Sequence, residues 1–463
     1  ADFGDALLLR QGYSIVWVGW QADVPNDPTR LRLQAPVVSD ATAPITGLVR
    51  SDWVVDEPQS VLPLAHRNHR PYPVADVDDS ANVLTARDAR EAPRKALPRR
   101  AWKFTDALGQ ASAEQSVLTH IRLEGGFKPG KIYELVYRAR DPLVVGLGLA
   151  AIRDIASYAK YRKDALFPAQ HAIAFGVSQT GRFLRHFLYQ DFNTDEQGRP
   201  VYDGMFIHAA GAGRGSFNHR FAQPSRDAHR YNTFFYPTDL FPFSGAPQRD
   251  TQTDIEDGLL AHLKHAPKIF YTNSGYEYWG RAASLIHTTP DGTKDIEPLP
   301  NERIYHLASG QHFVIGVPLE PQSEGVYHGN ALDYLVNLRA LLPRLTAWVK
   351  QGKAPPASRY PRIDDGTLVP PEKLKFPAIR GMPAPKVAHT AYRIDYGPRW
   401  RNGIIDLEPP KLGPAFVTLV PQVDAFGNEL GGVRNAELRV PLGTYAPWNL
   451  RAGLANPGEL NDF

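Results

Sequence analysis

The chain has 463 residues, of which 43% are hydrophobic and 22% are charged, a composition typical of a soluble globular protein. This length predicts about two or three domains, or one large domain with insertions. The formal net charge of +3, from 52 basic and 49 acidic residues, gives no reason to expect nucleic acid or an anionic membrane as a partner.

Cysteine is absent from the chain, which excludes disulfides, thiolate metal ligands and cysteine nucleophiles. No apolar run reaches the roughly 18 to 20 residues that span a bilayer, so the sequence predicts no membrane span. The oligomeric state and the compartment stay open, although we weigh a periplasmic or secreted location above a cytoplasmic one.

The N-terminal part of the chain changes character near residue 22. Residues 7–20 predict a short helix end, a turn and then a buried strand, because residues 15–18 are all apolar. Unbroken apolar runs are typical of parallel strands that are covered on both faces. We therefore predict a core strand within residues 1–22 and a mostly β insertion over residues 23–130, where prolines and charges interrupt short alternating pieces.

Strands then alternate with helices over residues 131–353, which predicts an α/β core with a mostly parallel sheet and helices on both faces. The predicted strands are 169–177, 202–213, 266–275 and 302–310, and the predicted helices are 144–161, 181–192 and 331–353, the last of them broken near Pro343. Residues 213–265 are aromatic and Pro-rich, as expected of a lid. Residues 354–463 are Pro- and Gly-rich and predict a C-terminal appendage that packs on the core.

The stretch GVSQTG, residues 176–181, places Ser178 between a predicted strand and a predicted helix. Small residues on both sides of the serine suit a sharp turn that exposes its hydroxyl above the sheet. The same turn directs the backbone N–H of Gln179 at the oxyanion of a tetrahedral intermediate. The motif is short, so a plain glycine-lined turn is the alternative interpretation.

A serine nucleophile needs a histidine base and a carboxylate that orients this histidine. Glu277 follows the predicted strand 266–275, and His312 follows the predicted strand 302–310. Both lie at carboxyl ends of strands, where the sites of open α/β sheets gather. The chain order of serine, acid and histidine therefore predicts a triad of Ser178, Glu277 and His312.

Other titratable residues near these strands are weaker candidates. His306 lies within its strand, as a packed core histidine would, and His287 and His328 lie in loops that no strand precedes. Asp291 and Asp295 belong to a polar turn, where aspartate serves the turn itself. The paired histidines of the HRNHR stretch lack neighbouring carboxylates, so a solvated basic loop is preferred to a metal site, and no metal is predicted.

Several longer phrases carry a resemblance to a known family: GYSIVWVGWQAD, GVSQTGRFLRHFLYQDFN, GSFNHRFAQPSR, YWGRAASL and SGQHF. Together they resemble large bacterial α/β-hydrolase-domain proteins of poorly defined substrate, over nearly the whole chain. The resemblance implies an α/β-hydrolase fold without a cofactor, with Ser178 as nucleophile, Glu277 as acid and His312 as base. The chain is more distantly similar to glucuronoyl esterases, whose arginine beside the serine is replaced here by Gln179.

The resemblance also makes the strand at residues 12–20 the fourth of the hydrolase sheet. The preceding strand, whose loop supplies the second oxyanion donor in this fold, is then expected before residue 1. We accordingly expect a longer polypeptide or an N-terminal companion chain, and N-terminal strands of the fold that this chain lacks.

Four further residues are candidates for substrate contact: Arg182, Asn218, His219 and Trp279. For each, the alternative is a structural role, such as an arginine that pairs with an acidic neighbour. The aromatic run 231–243 could line a pocket or pack the lid. These features predict a serine hydrolase of small-molecule or carbohydrate-linked carboxylic esters. The alternatives are a carbohydrate esterase of glucuronoyl type and a non-catalytic binding protein with this fold.

Overall fold

The structure is a computed structural model that describes residues 4–40, 42–67, 69–112, 114–226, 235–316, 319, 325–454 and 458–461. Its strands are β1 (Thr46–Val55), β2 (Gln59–Pro63), β3 (Val83–Arg87), β4 (Lys95–Ala96), β5 (Trp102–Thr105), β6 (His120–Phe127), β7 (Lys131–Arg140), β8 (Ile173–Val177), β9 (Gly204–His208), β10 (Gln248–Asp250), β11 (Ile255–Asp257), β12 (Lys268–Ser274), β13 (Glu302–Leu307), β14 (Leu368–Val369), β15 (Tyr392–Asp395), β16 (Lys411–Ala415) and β17 (Val420–Pro421).

The α-helices are α1 (Leu7–Arg10), α2 (Leu147–Tyr161), α3 (Gln179–Tyr189), α4 (Gly275–Gly280), α5 (Leu335–Gln351) and α6 (Ala436–Arg439). Short 3-10 helices lie at Arg99–Ala101, Gln115–Val117, Ala283–Ile286, Pro371–Lys373 and Trp400–Asn402. None of the helices in the described part of the chain combines the length and apolar character that a membrane crossing requires.

A four-stranded parallel sheet with the order β13-β12-β9-β8 forms the centre of the molecule. The two inner strands, β9 and β12, are buried on both faces, as expected of strands inside a parallel sheet. Side chains alternate across β9: Met205 and Ile207 pack with α2 and α3, whereas Phe206 packs with α5 on the opposite face. The predicted α/β architecture with helices on both faces is therefore confirmed.

The two outer strands of this sheet have different surroundings. Along β13, Tyr305 pairs with Arg359 and Leu307 pairs with Val433, so the C-terminal appendage extends the sheet in parallel. In the described part of the chain no strand pairs with the outer edge of β8, and the Phe175 side chain there is 55% exposed. We call the β13 side the covered edge, because the appendage pairs with it, and the β8 side the bare edge, because no described strand pairs with it.

The β-rich insertion forms two antiparallel sheets, β1-β7-β3-β4 and β2-β6-β5, around their own apolar core. Strand β7 pairs with β1 on one side and with β3 on the other. The insertion therefore extends to Arg140, beyond the boundary at residue 130 that the sequence suggested. The alternating apolar and polar residues of this region correctly indicated β6, in which buried and exposed residues alternate over its first half. That pattern did not indicate where the insertion ends.

The strand predicted at residues 15–18 is wrong: the structure has no strand in this segment, and Val16 and Trp17 are 48% and 52% exposed. At the end of this segment Trp20 packs on the core, with its ring centroid 4.3 Å from that of Phe183. An apolar run favours a strand only where a neighbouring strand is available for pairing. The break predicted near Pro343 is also wrong, because α5 continues through this proline.

The lid and the appendage both pack on the core, with only short strands of their own. The lid contains the hairpin of β10 and β11, and residues 231–234 of its aromatic run lie outside the described residues. The appendage forms the pairs β14-β17 and β15-β16 and shares an apolar cluster with Ile132 of β7 and Trp279 of α4.

Candidate active site

Ser178 lies in the turn between β8 and α3, with φ 53° and ψ −114°. A positive φ is unfavourable for a residue with a side chain, so the surrounding turn must hold it in place. A Cβ on Gly176 would lie 2.5 Å from the Thr180 carbonyl oxygen, and one on Gly181 would lie 2.9 Å from the carbonyl oxygen of His208. Glycine is therefore required at both positions for this turn to close.

Hydrogen bonds join the three residues of the predicted triad. The Ser178 Oγ lies 2.9 Å from His312 Nε2, and His312 Nδ1 lies 2.5 Å from Glu277 Oε1. Both the histidine and the glutamate are buried, with exposures of 1% and 0%. An ionised Glu277 fixes the proton on Nδ1, which leaves Nε2 free to accept the proton of the serine hydroxyl.

The Glu277 carboxylate is held by the residue that precedes α4. Its Oε2 accepts hydrogen bonds from the Ser274 backbone N–H at 2.8 Å and from the Ser274 hydroxyl at 2.6 Å. Burial alone would raise the pKa of Glu277, but the charge and hydrogen bond of His312, with the Ser274 hydroxyl, lower it to about 2. This carboxyl is therefore ionised at neutral pH, as the orienting role requires.

The loop that follows β13 places His312. Its backbone carbonyl accepts a hydrogen bond of 2.8 Å from the hydroxyl of Tyr334, which precedes α5. The rings of Phe313 and Tyr276 lie 4.5 and 5.6 Å from the imidazole, measured between ring centroids. Phe313 is 52% exposed, so the imidazole lies close to the molecular surface even though it is itself covered.

Gln179 begins α3, so its backbone N–H has no carbonyl four residues earlier within the helix. Its side-chain amide donates to the carbonyl of Pro224 in the lid, which fixes the side chain away from the backbone donor. The role of this N–H as a donor to an oxyanion beside Ser178 stays a prediction. The expectation that a second donor lies before residue 1 stays a prediction.

Two of the four candidate substrate contacts are enclosed by the scaffold. Arg182 is 1% exposed and lies near Asp239; although burial raises the pKa of that carboxyl, the charges of His389 and then Arg182 hold it below its ordinary value. Trp279 is 1% exposed and packs with Trp448 of the appendage. These positions favour the structural alternative for both residues.

The other two candidates, Asn218 and His219, line a cavity of about 250 Å³ between the insertion, the loop that precedes α2 and the appendage. Asn218 is exposed and donates a hydrogen bond of 3.2 Å to Gln190, whereas His219 is buried, and burial lowers its pKa to about 3. The lining of this cavity includes neither Ser178 nor His312. The structure therefore does not bring these two residues together with the predicted triad.

The alternative histidines have partners of their own. His287 Nε2 lies 2.9 Å from the Tyr278 hydroxyl, and His306 Nε2 lies 2.8 Å from Glu429, a residue that the sequence did not single out. Asp295 accepts hydrogen bonds from the backbone of Ile363 at 3.0 Å, as a structural aspartate does. Within the described residues, no group of three or more histidines and carboxylates could hold a metal ion.

Comparison with known proteins gives one result for this chain. A family model described as an alpha/beta hydrolase domain matches residues 118–460, which include β8, β9, β12, β13 and most of the appendage. Neither a curated protein nor a solved structure shows significant similarity. Because the match covers the larger part of the sequence and contains all three residues of the hydrogen-bonded chain, the protein belongs to the alpha/beta hydrolase domain family.

Proposed function

We propose that the protein is a serine hydrolase that cleaves carboxylic esters through an acyl-enzyme. The observation that carries the proposal is the continuous hydrogen-bonded chain from Ser178 through His312 to Glu277, with distances of 2.9 and 2.5 Å. Such a chain at the carboxyl ends of parallel strands is the arrangement that activates a serine hydroxyl. Membership of the hydrolase family supports the same class of reaction.

In the acylation step, the Ser178 oxygen attacks the ester carbonyl while His312 Nε2 takes its proton. The imidazolium that forms is stabilised by Glu277, whose pKa of about 2 keeps it charged throughout. The backbone N–H of Gln179 binds the developing oxyanion. His312 then gives its proton to the leaving alcohol, and the acyl group remains on the serine.

Deacylation repeats these steps with water as the nucleophile. His312 takes a proton from the water molecule, which attacks the acyl carbonyl, and then returns a proton to the Ser178 oxygen as the carboxylic acid leaves. No redox step occurs: the original serine proton has left with the alcohol, and one proton of the water molecule restores the Ser178 hydroxyl. The proposed reaction therefore uses the three side chains, the Gln179 backbone N–H and water, and it includes no step on a cofactor.

The proposal is tested with Ser178→Ala, compared with Ser14→Ala, an exposed serine remote from the turn. We expect the first variant to lower kcat for a small aryl ester by about 10³-fold or more, and to abolish covalent labelling by a fluorophosphonate. The matched control should label and turn over like the wild type. Turnover that survives in Ser178→Ala, or a wild type that does not label, would contradict the proposal and favour a non-catalytic binding protein.

A further inference from the structure

Glu429, in the C-terminal appendage, is a buried carboxylate at the covered edge of the central sheet. It follows β17 and is only 1% exposed. Strand β12 leads to the helix of Glu277, and strand β13 leads to the loop of His312. The Glu429 carboxylate contacts residues at the carboxyl ends of both strands.

On the side of the base, Glu429 is bonded to the first residues of the loop that carries His312. Its Oε2 accepts a hydrogen bond of 2.5 Å from the Ser309 backbone N–H and lies 2.8 Å from His306 Nε2. In return, the Glu429 backbone N–H donates to the Ser309 hydroxyl at 2.9 Å. Ser309 has a φ of 58°, a conformation that a serine keeps only when its surroundings hold it.

On the side of the acid, Glu429 lies against the first residue of α4. A Cβ on Gly275 would lie 2.6 Å from both oxygens of the carboxylate and 2.6 Å from the Cβ of Pro447, closer than any real Cβ approaches another atom. Glycine at this position is therefore what allows the carboxylate to reach the helix. Glu277 follows two residues later on the same short helix.

We infer that Glu429 is a positioning residue, which fixes the loop of His312 relative to the helix of Glu277 and makes the C-terminal appendage part of the site. This inference rests on the proposed function. One side chain contacts both supports of the base and its acid, so its removal changes their relative placement. Displacements of about 1 Å in such a site cost on the order of 10²-fold in rate.

A purely structural role is the competing interpretation. A buried carboxylate that bonds His306 and Ser309 also stabilises the fold, and its loss leaves buried donors unsatisfied. The two interpretations differ in one respect. A structural role lowers the melting temperature alone, whereas a positioning role also lowers kcat at temperatures where the variant is fully folded.

The experiment uses two variants that disturb the contact from opposite sides, Glu429→Ala and Gly275→Ala. The matched controls are Glu437→Ala, an exposed glutamate of the same appendage, and Gly443→Ala, whose added Cβ meets no atom within 4 Å. Well below each melting temperature, both test variants should lower kcat for an aryl ester by about 10- to 100-fold with little change in KM. Both controls should match the wild type.

Glu429→Gln provides a conservative variant, because its amide oxygen can still accept the Ser309 N–H. We expect it to recover part of the kcat that Glu429→Ala loses. The downfield ¹H resonance of the His312 Nδ1 proton gives a readout that does not depend on turnover. This resonance should shift or broaden in Glu429→Ala and in Gly275→Ala, and His312→Ala identifies it.

The outcomes separate the inference from the proposed function. A wild type without esterase activity or fluorophosphonate labelling contradicts the function, while the His312 resonance still decides the positioning role. An active wild type combined with a Glu429→Ala variant of unchanged kcat and unchanged resonance overturns the inference, whatever the melting temperature does. Loss of kcat in Glu429→Ala without the same loss in Gly275→Ala would also contradict the shared contact.

Discussion

At the bare edge of the central sheet, Ser178 is held by its own turn, in which a Cβ on Gly176 would meet Thr180, and by a hydrogen bond of 2.9 Å from its backbone N–H to the carbonyl of His208 on the adjacent strand. At the covered edge, His312 depends on distant residues: Tyr334 bonds its carbonyl, and Glu429 bonds the loop that leads to it. The nucleophile is thus positioned by its own turn and by the adjacent strand, and the acid is held by Ser274 nearby in the chain, whereas the base depends on contacts with distant residues. This difference determines which substitutions should change the geometry of the site, and how far from it along the chain such substitutions can lie.

The largest loss of activity in this comparison is expected from Glu277→Gln, which changes the partner of the base. The amide would present N–H groups to His312 Nδ1 and favour the tautomer in which Nε2 carries the proton and cannot accept one from Ser178. We expect kcat to fall by about 10³- to 10⁴-fold, measured with an aryl ester and by the rate of fluorophosphonate labelling. Labelling at the wild-type rate would show that the acid does not orient the base.

Gly176→Ala tests the local half of the comparison. Its Cβ would lie 2.5 Å from the backbone of Thr180, so the turn must open and Ser178 must move. We expect kcat to fall by about 10- to 100-fold with the His312 Nδ1 proton resonance unchanged, because the base and acid keep their own supports. A change in that resonance would show that the two edges are not independent.

The smallest effect is expected from Phe175→Ser, on the bare edge. The ring is 55% exposed and contacts Phe206 at 5.4 Å between centroids. We expect a loss of about 1 kcal/mol or less in the free energy of unfolding, with kcat unchanged. Leu166→Ser, at a residue that is 88% exposed, serves as the control. A larger loss, or a change in oligomeric state, would show that this edge is covered in solution.

Sequence patterns predicted the features that depend on short stretches of chain. The turn around Ser178, the four core strands and the chain order of Glu277 and His312 each follow from a few neighbouring residues, and the fold and family were confirmed. Predictions that depended on which distant residues are in contact were less successful. Residues 15–18 do not form the predicted strand, and Arg182 is buried near Asp239, which lies 57 residues later in the chain.

Glu429 illustrates the same limit from the other side. Nothing near it in sequence distinguishes it from other glutamates, because its importance arises from Ser309 and His306, 120 and 123 residues away. The one signal in the sequence was Gly275, whose missing side chain makes room for the carboxylate. A glycine near a predicted catalytic residue indicates a close contact, but the sequence does not show which residue makes that contact.

The separations along the chain also order the events of folding. Turns such as the one around Ser178 form from neighbouring residues, whereas the contact of Glu429 with Ser309 closes a loop of 120 residues and that of Ser178 with His312 spans 134. Because loop closure over such distances is slow and entropically costly, these contacts form after the local secondary structure. On dilution from denaturant, helical circular dichroism should therefore return before hydrolytic activity.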